Sequence, residues 1–175
     1  LELIYYPTSA NAAGYKLPQP DLVQGVDFSD LGNDKEAYRY NFILKNHRNT
    51  DDFSRFIAFA KSWSLTGATL EPQTRLTTDW DEWMRSYSLV SLMGVGDMYT
   101  FGNNHNLMAY VRPSDQKMLY FLWDMDFSFN HGTSSALIGD QNLGRIVNAV
   151  PSIQRCFYGH MLDHVNTVFN TGYMT

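Results

Sequence analysis

Residues 78–126 constrain this chain more than any other stretch, because two elements of different period meet there at acidic loops. Thr78 can cap a helix, with Asp81 three residues on as an acidic capping-box partner. Trp80, Trp83, Met84 and Tyr87 keep the helical period. No charge occurs from Tyr87 to Val95, which predicts a buried helix end, and Gly94 and Gly96 stop the helix immediately before Asp97. Asn106–Arg112 and Lys117–Trp123 then read as antiparallel strands joined by the turn residues Pro113, Ser114 and Asp115. Met118–Trp123 is continuously apolar, which predicts a strand covered on both faces, and it runs into Asp124-Met125-Asp126.

Around this centre the pattern is simpler. The strand at Leu1–Tyr6 and an extended loop rich in Pro, Gly, Asn and Asp precede a predicted strand at Tyr38–Lys45. A helix is predicted over Asp52–Trp63, with Phe53, Phe56, Ile57 and Ala60 on one face. After a Gly/Ser-rich loop at His131–Gly139, helices are predicted at Asp140–Ala149 and from Pro151 onward. The last carries a stripe of Phe157, Met161, His164, Val165 and Val168. With 175 residues, 44% apolar and 15% aromatic, the chain can bury a core and is not disordered. Its net charge of −5 argues against a nucleic-acid partner, and no apolar run is long enough for membrane insertion. A single cysteine, Cys156, excludes a disulfide within the chain.

Carboxylates beside an apolar strand end need a reason, since buried charge is costly unless paired or bound to metal. Asp and Asn oxygens suit Mg²⁺, Mn²⁺ or Ca²⁺ rather than Zn²⁺. Asp97, Asn106, Asp124 and Asp126 together are therefore candidates for a metal–nucleotide site. Their order, with a hairpin between the Asn and the last acids, follows the layout of protein kinases: an Asp that orients the acceptor hydroxyl, an Asn on metal, and a second metal-binding Asp. The Asp-to-Asn gap is nine residues here (106 − 97), longer than the five of the eukaryotic signature.

At these residues the chain resembles the CotH family of atypical protein kinases, named for a spore coat protein. The resemblance lies in Gly96-Asp97-Met98-Tyr99-Thr100, His105-Asn106-Leu107-Met108-Ala109-Tyr110 and Leu122-Trp123-Asp124-Met125-Asp126-Phe127-Ser128-Phe129, with Asp79-Trp80-Asp81-Glu82-Trp83-Met84-Arg85 as the helix entry. It implies an α+β fold, like a protein-kinase C-terminal lobe, in which helices pack with a catalytic-loop hairpin and a small antiparallel sheet. It also implies Mg²⁺/ATP-dependent phosphoryl transfer to Ser or Thr hydroxyls of a protein substrate, with Mn²⁺ as a possible substitute. Asp97 takes the catalytic position, Asn106 and Asp124 the nucleotide–metal positions, and Asp126 a further metal position. Spacing favours Asp124 over Asp126 as the principal ligand. The Arg-Gly segment and phosphate-binding Lys of the family have no counterpart in residues 1–175. The chain is therefore expected to be the C-terminal portion of one domain, completed by the rest of its polypeptide. The rival expectation is a non-catalytic kinase-like module of a surface or secreted adhesion protein; either way an extracellular or cell-surface location is expected.

Other motifs have plainer readings. Gly94-Val95-Gly96 ends a helix and lacks the third glycine of a dinucleotide loop. Asp124-x-Asp126 alone resembles a nucleotide-sugar site, but no βαβ unit precedes it. His47-Arg48-Asn49 reads as a solvated turn, His105 as a structural hydrogen-bonder, and Trp123 and Phe127 as core. His160, Asp163 and His164 sit near ligand spacing on the last helix, without a further ligand nearby in sequence.

Overall fold

Trp63 and Trp83 belong to different helices, yet their rings meet at 4.9 Å, and the core grows outward from that contact. A computed structural model of the chain describes residues 2–3, 27–39, 42–99, 106–139 and 141–175. The elements are β1 (Glu2–Leu3), α1 (Lys35–Arg39), β2 (Phe42–Ile43), α2 (Ser54–Trp63), a 3₁₀ turn (Gly67–Thr69), α3 (Leu70–Thr77) and α4 (Trp80–Met93). They continue with β3 (Leu107–Val111), β4 (Met118–Leu122), α5 (Asn142–Ala149), α6 (Pro151–Thr167) and α7 (Thr171–Met174). The class is α+β. An antiparallel sheet runs β2-β1-β3-β4, and among the described residues β3 and β4 form its five-residue hairpin.

The Trp/Phe stripe of α2 and the Trp80–Val90 stripe of α4 form one aromatic cluster. At its centre lies Phe28, from the irregular stretch before α1. Its ring meets those of Phe42, Phe56, Phe59, Trp63, Trp83 and Tyr99 at centroid distances of 4.5–6.1 Å. Asp27 beside it ties the stretch down: its carboxylate accepts from the Tyr99 hydroxyl and, at 2.9 Å, from the Asn142 amide in the first turn of α5. Gly144 lets α5 sit against the preceding loop, since a Cβ there would fall 1.8 Å from the Gly139 carbonyl oxygen.

Helix α4 also lies along the free side of β4 and takes up its backbone groups. The Asp79 amide and the Trp83 indole both donate to the Met118 carbonyl, at 3.2 and 2.9 Å. The Glu82 carboxylate accepts from the Tyr120 amide at 2.7 Å. Burial raises the Glu82 pKa above the usual carboxylate range, against the lowering effect of that amide.

Several local expectations are corrected. Tyr38 is in α1 rather than a strand: Asp34 accepts the Glu36 amide at 3.0 Å and nucleates a short helix, and the Tyr38 hydroxyl turns back to the Gly32 carbonyl at 3.1 Å. The α4 cap is Asp79, which accepts from the Glu82 amide at 3.3 Å; Thr78 is occupied by the Trp63 indole at 2.8 Å. β4 is buried on one face only, through Met118 and Tyr120, while Phe121 stands half exposed and stacks on Tyr110 across the hairpin. Val165 and Val168 of the α6 stripe are exposed, whereas Phe157, Met161 and His164 are buried. Most of the predicted Leu1–Tyr6 strand, together with Tyr40 and Asn41, lies outside the described residues.

Candidate functional site

The site is built by the way α4 ends. Gly94 takes the left-handed conformation at φ 57°, and its amide closes on the Ser91 carbonyl at 3.2 Å. The chain leaves the helix with Val95, Met98 and Tyr99 buried, so the intervening Asp97 is held between core anchors and is half-buried. The turn after β4 is stitched onto this segment: the Gly96 amide donates to the Phe127 carbonyl at 3.1 Å. The amides of Phe129, Asn130 and His131 return to the carbonyls of Met93 and Gly94 at 2.6–3.1 Å. A Cβ at Gly96 would fall 2.6 Å from the Asn130 side-chain Nδ2 and 3.3 Å from its Cβ, so the Asn130 side chain packs directly over this glycine.

Asn106 enters from the start of β3. It is 7% exposed, and its side-chain amide donates to the Asp97 carbonyl at 3.2 Å and to the Asp97 carboxylate at 3.0 Å. Asn106 and Asp124 both sit in left-handed backbone, at φ 53° and 58°. Asn and Asp tolerate that conformation better than other side chains, and residues held there cluster at functional sites. At Asp124 it bends the chain out of β4 and into the turn that carries Asp126.

Asp97 feels the charges of both later acids. The Asp97 pKa is raised, first by burial, then by the negative charge of Asp126, then by that of Asp124; hydrogen bonding from Asn106 opposes the shift. Asp124 and Asp126 are themselves exposed. Asn106 is thus brought onto Asp97, and Asp124 and Asp126 act on it electrostatically, although the three carboxylates do not all lie within 4.8 Å of one another. They present oxygen donors only, with an excess of negative charge that a hard divalent cation relieves, so the donor set fits Mg²⁺ or Mn²⁺. Thr100–His105, including the expected hydrogen-bonder His105, lie outside the described residues.

The neighbouring aromatics differ from expectation. Trp123 and Phe127 are 47% and 49% exposed, not core: Trp123 shares the outer face of the hairpin with Phe121, and Phe127 lies in the turn that follows Asp124. His47-Arg48-Asn49 is an exposed turn as expected, closed by the Thr50 amide on the His47 carbonyl at 3.1 Å. On α6, His164 is used structurally, contacting the Arg85 carbonyl at 3.0 Å, and Asp163 points to solvent. His160 instead meets Asp81 of α4 at 2.8 Å, with Cys156 beside it. No spacing along one helix reveals that pairing, since 79 residues separate its members.

Among the described residues, no helix is long and apolar enough to cross a membrane. No protein-family model matches the chain, and no curated protein matches it either.

Proposed function

We propose that this chain is part of a Mg²⁺/ATP-dependent protein kinase of the CotH type, transferring phosphate to Ser or Thr hydroxyls. The observation that carries the reading is the convergence on Asp97 of the Asn106 side chain and of the charges of Asp124 and Asp126. Asp97 orients the acceptor hydroxyl and takes its proton. Its raised pKa makes it a better base than an ordinary surface carboxylate. Asn106, Asp124 and Asp126 would hold the metal, and Mg²⁺ bound there would supply neutralisation of the nucleotide phosphates. Asn106 has a second duty, steadying the Asp97 carboxylate. The phosphate-binding lysine and loop are assigned to the rest of the polypeptide, together with the sheet surface they would cover.

A non-catalytic module is the second reading. In its favour are the exposed aromatics Phe121, Trp123, Phe127 and Phe129, apolar surface of a kind that suits packing against another protein.

The test uses Mn²⁺ as a paramagnetic probe on the ¹⁵N-labelled chain. The expected result is selective broadening of the Asn106 side-chain amide and of the Asp97, Asp124 and Asp126 amides, lost in the Asp124→Asn, Asp126→Asn double variant. Broadening confined to other acidic surfaces overturns the site. In the intact polypeptide, transfer from ATP that survives Asp97→Asn overturns the kinase assignment.

A further inference from the structure

Cys156 and His160 stand four residues apart on α6, so they share one face one turn apart. That face packs on the first turns of α4, where Asp81 projects between them. The His160 Nε2 lies 2.8 Å from Asp81 Oδ1, and the Cys156 Sγ 3.9 Å from the same oxygen. One sulfur, one nitrogen and one oxygen thus fall within 4.8 Å of one another. The other Asp81 oxygen, Oδ2, is held by Arg85 at 3.4 Å, which orients Oδ1 inward.

We propose that Asp81, Cys156 and His160 form a Zn²⁺-type metal site joining α4 to α6, separate from the acidic site at Asp97. In tetrahedral zinc, bond lengths of about 2.0–2.3 Å place ligand atoms roughly 3.3–3.6 Å apart. The nitrogen and oxygen must therefore part by about 0.5 Å and the sulfur and oxygen close by about 0.4 Å, shifts within the reach of side-chain rotation. The mixed S, N, O set selects zinc or cobalt over magnesium, the reverse of the all-oxygen site. The two sites are also apart: Asp81 to Met93 spans twelve residues of α4, about 18 Å along the axis. On binding, the thiol proton passes to solvent as the Zn–S bond forms, and neutral imidazole and carboxylate complete three positions. A water fills the fourth, as in three-ligand zinc centres.

The probe is Co²⁺ added to the reduced, metal-free chain, followed by competition with Zn²⁺. Cys156 is the sole thiol, so any thiolate-to-cobalt charge-transfer band reports this residue alone. The expected result is such a band with tetrahedral visible absorption, bleached by Zn²⁺ and lost in Cys156→Ser. Affinity should fall roughly 100-fold in His160→Ala and in Asp81→Asn, at least the loss typical of disturbing a ligand's support. In the unmodified chain, Zn²⁺ should protect Cys156 from alkylation by iodoacetamide, a readout that needs no variant. Absence of both the band and the protection overturns the site. So does unchanged Co²⁺ affinity in both His160→Ala and Asp81→Asn, which would mark a solitary thiol.

Discussion

Replacing Phe28 by Ala tests whether an irregular segment holds the core together. Phe28 is fully buried and touches six aromatic rings, most of them edge-on or tilted. Truncating a buried Phe costs about 3–5 kcal/mol from lost transfer energy and the cavity left behind. The neighbours are large, rigid rings drawn from β2, α2, α4 and the segment after α4, so the cavity cannot collapse and the upper part of that range applies. A domain of this kind has only about 5–15 kcal/mol in total, so the loss is a large share of it. Urea unfolding followed by tryptophan fluorescence reads the change directly, because Trp63 and Trp83 line the same cavity. Phe28→Leu should recover much of the loss. A cost below about 1.5 kcal/mol for Phe28→Ala, with unchanged m-value, would refute the central placement of Phe28 and mark the segment as peripheral.

Further outcomes follow from the polar groups. Asp97→Asn should raise the melting temperature of the metal-free chain at neutral pH. A carboxyl whose folded pKa is raised costs stability as pH rises from the ordinary Asp value (about 3.9) through the raised value. The gain should vanish below that window, and a gain persisting there would refute the electrostatic cause. Asp126→Asn should lower the Asp97 pKa more than Asp124→Asn does, measured by carboxyl NMR titration, because Asp126 repels it more strongly. In the intact domain, Asp124→Asn should nonetheless cost more phosphoryl transfer than Asp126→Asn; the opposite order in single-turnover assays would reverse the ligand ranking. Glu82→Ala should cost about 1–3 kcal/mol by leaving the Tyr120 amide without its carboxylate, whereas Glu82→Gln keeps an acceptor and should cost less, both by thermal melting.

Legibility from sequence followed the range of the forces. The end of α4, the hairpin, the Pro151 start of α6 and the aromatic face of α2 are written in local periodicity and turn chemistry, and all of them form. The meeting of Asp97 with Asn106 was legible because a stop, a loop and a strand follow one another within ten residues. Phe28 was not: a lone aromatic in a run of Asp, Ser and Gly has no period, and its burial depends on rings up to 71 residues away. Helix α3 was missed because Leu70–Thr77 buries only Leu70 and Thr74, leaving no stripe to read. The expected cap Thr78 gave way to Asp79 because the Trp63 indole occupies the Thr78 hydroxyl, and nothing local to Thr78 announces that bond.

The lie of α4 along β4 has a consequence for how the sheet can grow. By taking up the carbonyl of Met118 and the amide of Tyr120, the helix removes the hydrogen-bonding groups that a docking strand would use. Of the two flanks of the described sheet, the β4 side is thereby closed to augmentation along Met118–Tyr120. A docking strand would have to displace α4 from those two groups before it could pair with β4.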